Sequence, residues 1–175
     1  MSAFDERRIT DALATNSTDL LAYFERRAGT SADAADLLAE TMMTAWRRVS
    51  DLPSTPERAR MWLFVIARHT LLNSERAERR RWRLANRLRL LLGPTEAPAA
   101  DDGAEVRDAV ARLDPPLAEL IRLVHWDGFS LAEAAAVLEI PASTARGRYA
   151  KAKEELQRAL GRSHPVDAEI AHAPH

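Results

Sequence analysis

Apolar residues along this 175-residue chain recur every three to four positions, and strand-like alternation is essentially absent, so the pattern predicts an all-α protein. Two helices are expected over residues 4–13 and 19–28, the second ended by Gly29. A third is expected over residues 32–49, with Leu38, Met42, Ala45 and Val49 as its buried stripe. A polar loop then leads to Thr55-Pro56-Glu57, which reads as a strong helix start. The threonine can cap the first turn, the proline's missing N–H has no partner to lose there, and the acid complements the helix dipole. The fourth helix is expected to run through Trp62, Ile66 and Leu71 to near Leu90.

The pattern then stops. Residues 93–103 are rich in proline, alanine and acid with nothing to bury, and they read as a flexible linker. Helices resume over residues 104–113, 116–126, 131–139 and 142–160, and the tail, residues 163–175, is expected to be disordered. The expected organisation is therefore two small helical domains, residues 1–92 and 104–162, joined by the 93–103 linker.

Local chemistry sharpens the second domain. Ser130-Leu131-Ala132-Glu133 has the spacing of a capping box, and Gly128 suits a left-handed turn just before it. The short helix after it is separated from the next by only Glu139-Ile140-Pro141, the pattern of a helix-turn-helix whose second helix enters the DNA major groove. In that second helix Ala145, Tyr149, Ala152 and Leu156 form the stripe to be buried. Ser143, Arg146, Gly147, Ala150 and Lys151 lie opposite. The small residues allow close approach, Arg146 and Lys151 can reach guanine edges or phosphates, and Ser143 and Thr144 can bond phosphate near the helix N-terminus. Arg148 and Lys153 are better placed for the DNA backbone. A plain amphipathic bundle helix is the bland alternative for this segment taken alone.

A formal net charge of −1 hides a segregated distribution. Eight arginines between Arg68 and Arg89 face only Glu75 and Glu78, a local charge of about +6, and six basic residues between Arg146 and Arg162 face Glu154 and Glu155, about +4. Acid gathers at Asp33, Asp36 and Glu40, and again around Glu96–Asp108. Two separate basic segments suggest two contacts with a polyanion, and the acidic face suggests a different partner. The absence of cysteine excludes disulfides and thiolate metal sites, and no apolar run approaches the roughly 18 residues of a membrane span. With no signal-peptide pattern at Met1–Arg8, a cytoplasmic location without membrane insertion is expected.

Three stretches give this pattern a family likeness. Asp33-Ala34-Ala35-Asp36-Leu37-Leu38-Ala39-Glu40-Thr41, followed by Ala45-Trp46-Arg47, resembles region 2 of the extracytoplasmic-function (ECF) sigma factors, as does Arg60-Met61-Trp62-Leu63-Phe64-Val65-Ile66-Ala67-Arg68. Asp127-Gly128-Phe129-Ser130-Leu131-Ala132-Glu133, with Ile140-Pro141 and Ser143-Thr144-Ala145-Arg146, resembles their region 4. The likeness spans about residues 15–160 in the family's order and spacing.

That resemblance implies a chain that binds core RNA polymerase and directs promoter recognition, melting and initiation, without a cofactor and without being an enzyme. It further implies that Asp33, Asp36, Leu37, Glu40 and Thr41 would dock on the clamp helices of the polymerase largest subunit, with Leu37 exposed beside the acids. Region 4 would meet the flap. The loop at residues 52–55, including Ser54, would capture an unstacked base of the minus-ten element. Arg60, Arg68, Asn73, Arg76, Arg79 and Arg80 (with Arg81) would handle the melted strand, and Ser143, Thr144, Arg146, Gly147, Arg148 and Lys151 the minus-35 duplex. Trp46 and Trp62 could both be core residues of the bundle, and for Trp62 that reading is favoured.

The sequence departs from the family at Asn73, Val65 and His69, which bears on promoter preference, and at Gly147. Glu139 replaces the glycine usual in the helix-turn-helix turn and is expected either to strain it or to mark a slightly different turn. No long autoinhibitory segment precedes region 2 and the linker is too short for a region 3 domain. Restraint is therefore expected from an anti-sigma factor that masks both DNA-binding modules. A stand-alone helix-turn-helix regulator is the alternative, but it leaves the Asp36–Thr41 and Trp62–Arg68 motifs without a role. A helical metalloenzyme lacks the Glu-x-x-His pairing that a carboxylate-bridged site needs.

Overall fold

The computed structural model describes residues 3–89 and 104–161, with side-chain surroundings for residues 3–80 and 106–160. The described residues hold helices and no strand, in two compact units. The expected 93–103 linker and 163–175 tail lie outside the described residues. None of the described helices is long and apolar enough to cross a membrane.

In the first unit, α1 (Ala3–Glu25) is one continuous helix where two were expected. The gap between those two expected helices holds the polar run Asn16-Ser17-Thr18, whose side chains can compete for backbone groups. Here they bond backward into their own helix: Asn16 Nδ2 donates to Ala12 O at 2.8 Å and Ser17 Oγ to Ala14 O at 3.1 Å. Burial of Ile9, Leu13, Leu20, Tyr23 and Phe24 on one side then carries the helix through the weak stretch.

α2 (Ser31–Arg47) begins with a cap that the sequence pattern had not singled out. Thr30 Oγ1 accepts from Asp33 N at 3.1 Å, and the same hydroxyl donates to Asp33 Oδ2 at 2.7 Å. The buried stripe of α2 is Ala34, Leu37, Thr41 and Ala45. It is rotated from the expected Leu38–Met42–Ala45–Val49 line, so that Leu38 and Met42 are only half-buried. Leu37 is therefore not exposed beside the acids; it is 7% exposed and belongs to the core. Thr41 is fully buried, and its hydroxyl donates to Leu37 O at 2.8 Å, which satisfies a polar group that would otherwise be costly inside. Trp46, a candidate for the core, is 38% exposed.

A short 3-10 turn (Val49–Asp51) and residues 52–55 lead into α3 (Pro56–Arg89). Thr55 caps it as expected: its carbonyl accepts from Ala59 N at 2.9 Å and its Oγ1 from Arg58 N at 3.4 Å. Leu63, Phe64, Ile66 and Ala67 bury the inner face of α3. Tyr23 meets Phe24 and Phe64 edge-on, with ring centroids 5.3 and 5.4 Å apart, a favourable arrangement for aromatic quadrupoles.

In the second unit, α4 (Ala104–Ala111), α5 (Pro115–His125) and α6 (Leu131–Val137) pack around α7 (Ala142–Gly161). Val110, Leu113, Leu117, Ala118, Ile121 and Ala152 form one core cluster, with Tyr149 and Leu156 packed against it. Tyr149 OH also lies 2.9 Å from His125 Nε2 with the two rings stacked, tying α7 to α5. The capping box forms in both directions: Glu133 N donates to Ser130 Oγ at 3.3 Å and Ser130 N to Glu133 Oε2 at 2.8 Å.

The turn after α6 has a specific geometry. Ile140 N donates to Ala135 O at 3.0 Å and Glu139 N to Ala136 O at 3.1 Å, the two bonds of a Schellman motif. That motif needs its central residue left-handed, and Glu139 has φ +56° where a glycine would sit without strain. Glu139→Gly is expected to raise unfolding stability by about 0.5–1 kcal/mol, part of the relief being offset by a more flexible unfolded chain. Chemical denaturation of the full chain checks this, and an unchanged or lowered stability would contradict the strain.

Candidate polymerase and nucleic-acid interfaces

Three surfaces carry the residues singled out in the sequence. The first is the outer face of α2. Asp36 and Glu40 are exposed on it, at the three- and four-residue spacing that places side chains on one side of a helix. The same spacing continues to Met43 and Arg47, and Met43 is 55% exposed with Trp46 beside it. The surface is thus acidic with two large apolar side chains. Neither was expected there from the sequence, although the step from Asp36 to Glu40 to Met43 was available to find them. Asp33 is exposed but engaged in the α2 cap, while Leu37 and Thr41 lie beneath the surface and support it.

The second surface lies at the start of α3. At about 100° of rotation per residue, Trp62, Val65, His69, Asn73, Arg76 and Arg80 share one face. His69, Asn73, Arg76 and Arg80 are exposed there, and Trp62 and Val65 are half-buried. Arg79 is also exposed, off to one side, with Glu75 at 3.7 Å. Arg68 is half-buried, and the side chain of Arg81 lies outside the described ones.

Arg60 points elsewhere. Its Nη2 lies 3.2 Å from Asp19 Oδ2 on α1, its guanidinium sits over the Phe64 ring, and it lines a cavity of about 450 Å³ between α1 and the residue 52–55 loop. Ser54, Thr55, Arg8, Asp11 and Asn16 line the same cavity. The sequence anticipated the loop as a wall, but not the α1 residues opposite, whose register against the loop is a tertiary fact.

The third surface is the exposed side of α7. Ala145 and Ala152 are fully buried, which fixes the rotation of the helix. Ser143, Gly147 and Ala150 then run along the centre of the outer face, with Arg146 and Lys151 on its two flanks, all exposed. A Cβ built on Gly147 would meet nothing within 4 Å, so glycine there is not required by packing in the unit. Thr144 and Arg148 are half-buried at the edges. Lys151 Nζ lies 3.9 Å from Asp114 Oδ2 and 3.8 Å from Glu155 Oε1. Such exposed pairs are weak, about 0–1 kcal/mol, so they leave the ammonium available to a phosphate.

Comparisons with known proteins agree with this division. The family model for Sigma-70 region 2 matches residues 13–81 and that for Sigma-70, region 4 matches residues 103–156. Among solved structures, the sigma factor RpoE in its co-crystal with the anti-sigma factor NepR from Bartonella quintana shares the fold, with a TM-score of 0.66 over 90% of this chain and 99% of that one at 23% identity. CnrH, solved in complex with the cytosolic domain of CnrY, gives a TM-score of 0.63 over 91% of each chain at 26% identity.

Sequence relatives are more specific. The chain is 35% identical over 128 residues to the ECF RNA polymerase sigma factor SigC of Mycobacterium tuberculosis, covering 70% of this chain and 68% of that one. It is 30% identical over 150 residues to the ECF RNA polymerase sigma factor SigL of the same organism, covering 79% and 80%. A stand-alone helix-turn-helix regulator accounts for α6 and α7 but not for the match over α1 to α3. The chain belongs to the ECF family of RNA polymerase sigma factors.

Proposed function

We propose that this sigma factor docks on the clamp helices of the core polymerase's largest subunit through the outer face of α2 and meets the flap with its second unit. It then reads promoter DNA twice, as melted strand at the minus-ten element and as duplex at the minus-35 element. The observation that carries the reading is the chemical difference between its two DNA-facing surfaces. One combines a cavity lined by Arg60 with a separate arginine-bearing face further along α3, suited to an unstacked base and a flexible backbone. The other is an open helix face with small residues at its centre and cations on both flanks, suited to a major groove.

At the minus-ten element, extruding a base costs a few kcal/mol, which contacts inside the cavity must repay. Ser54 and Arg60 border that cavity, and Asn73, Arg76, Arg79 and Arg80 continue along α3 as contacts for the strand. Arg68 is half-buried and serves from the side. At the minus-35 element, Ser143 and Thr144 near the start of α7 bond phosphate, Gly147 admits the groove wall, and Arg146, Arg148 and Lys151 reach bases or phosphates. Run-off transcription with bacterial core polymerase tests this. Arg146→Ala is expected to weaken promoter use by about 1–3 kcal/mol in one position of the minus-35 element, and an unchanged yield and sequence preference would refute the assignment.

On α2, a basic helical partner is matched by Asp36 and Glu40 for steering and by Met43 and Trp46 for buried contact. Trp46→Ala and Glu40→Lys are each expected to weaken binding to core polymerase roughly tenfold or more, read in a competition assay against wild type. Leu37→Ala is expected to act differently, by lowering the stability of the unit through a core cavity.

The same apolar-acidic face and the α7 face also suit an anti-sigma factor, a class of partner present in the solved complex of RpoE. The partner masks both DNA-reading units in this cytoplasmic protein. Affinity purification of the tagged chain from its native cells is expected to recover a stoichiometric inhibitor of run-off transcription. Recovery of fully active chain with core polymerase alone would count against it.

A further inference from the structure

We infer that Arg8, on the second turn of α1, is the positioning residue of the base cavity: it holds the residue 52–55 loop in the shape that accepts an unstacked base. The inference rests on the reading of that cavity given above. Arg8 lies N-terminal to the segment matched by the region 2 model, which starts at residue 13.

The geometry is unusually direct. Arg8 Nη2 donates to Pro53 O at 2.8 Å and to Leu52 O at 3.1 Å, so one charged nitrogen gathers two successive loop carbonyls. Such charge-assisted bonds are stronger than neutral ones. The guanidinium also sits 5.6 Å from the Phe4 ring centroid, which steadies it from the solvent side.

The buried Leu52 side chain anchors one end of the loop in the core, while its backbone has fewer ties of its own. Pro53 and Pro56 contribute no N–H, and Leu52 N closes the preceding 3-10 turn on Val49 O at 3.1 Å. Thr55 spends its carbonyl and hydroxyl on the cap of α3. Ser54 is therefore slung between the carbonyls held by Arg8 upstream and the α3 cap downstream, and it is this exposed residue that lines the cavity. Because Arg8 Nη2 is committed to the two loop carbonyls, we place its effect on a base in the shape of the loop and not in a contact with the DNA backbone.

That distinction sets the test. The full chain bound to core polymerase is titrated with two single-stranded minus-ten oligonucleotides, identical except that one is abasic at the extruded position. Wild type is expected to prefer the base-bearing strand. Arg8→Ala is expected to weaken binding of that strand by about tenfold while leaving the abasic strand nearly unchanged, so the ratio collapses towards one. Loss of fold or of a phosphate contact would instead weaken both strands equally and preserve the ratio, which would overturn the proposal.

Arg8→Lys is expected to keep the ratio within about threefold of wild type, since a single ammonium can serve both carbonyls as Nη2 does. Phe4→Ala, which leaves both loop bonds in place, is expected to shift the ratio in the same direction as Arg8→Ala but less. These two variants carry the test should Arg8→Ala fold poorly. An Arg8→Ala holoenzyme with an intact ratio sinks the role of Arg8 alone. A wild type blind to the missing base sinks the reading of the cavity and the role of Arg8 with it.

Discussion

The packing of α1 against α3 is the contact on which the first unit's chemistry depends. Tyr23, Phe24 and Phe64 lock the two helices edge to face, with Leu20 and Leu63 buried in the same unit. Aromatic packing of this kind is directional as well as apolar, so it fixes the rotation of each helix and not only its proximity. Two polar links at the cavity bridge this seam or its extension. Arg60 reaches from α3 to Asp19 on α1, and Arg8 reaches from α1 to the loop that feeds α3. Shifting the seam by one residue would rotate Arg60 by about 100° and separate it from both the carboxylate and the cavity.

The second unit solves a similar problem with less material. α7 buries two alanines completely, and small residues let α4, α5 and α6 approach it closely. A helix held by so narrow a stripe keeps most of its circumference free, which is what a groove-reading helix requires. Its angle to α6 is set by the Schellman turn, where Glu139 takes a backbone conformation that disfavours a side chain. The strain sits beside the surface proposed to meet DNA, a common place for it.

In the proposed reading, the two units divide the work of a sigma factor by physical type. Melted strand needs a cavity and a trail of cations, because a single strand has no fixed shape to match. Duplex needs a slim, rigid helix, because the major groove has a fixed shape and a unique donor and acceptor code. The α2 surface differs from both, since its acid would repel DNA and, in the proposed reading, favour a basic protein partner.

Much of this was legible in the chain itself. The 3.6-residue period gave the all-α class, Thr55-Pro56 marked the start of α3, and Ser130–Glu133 the start of α6, because capping is local chemistry between neighbours. The stripe of α7 was legible too, since Ala145, Tyr149, Ala152 and Leu156 are the apolar residues of one face. What sequence could not decide was rotation and contact across distance. On α2, apolar and small residues occur nearly all round, so only packing against α1 and α3 chose Leu37 and Thr41 for the inside and left Trp46 and Met43 outside. The break expected in α1 vanished because tertiary burial outweighs the weak propensity of Asn16-Ser17-Thr18. The Arg8 bonds join residues more than forty positions apart, and no local pattern encodes such a pair. Local free energies of capping and periodicity are written in neighbouring residues; the register of one helix on another is settled only when the whole core closes.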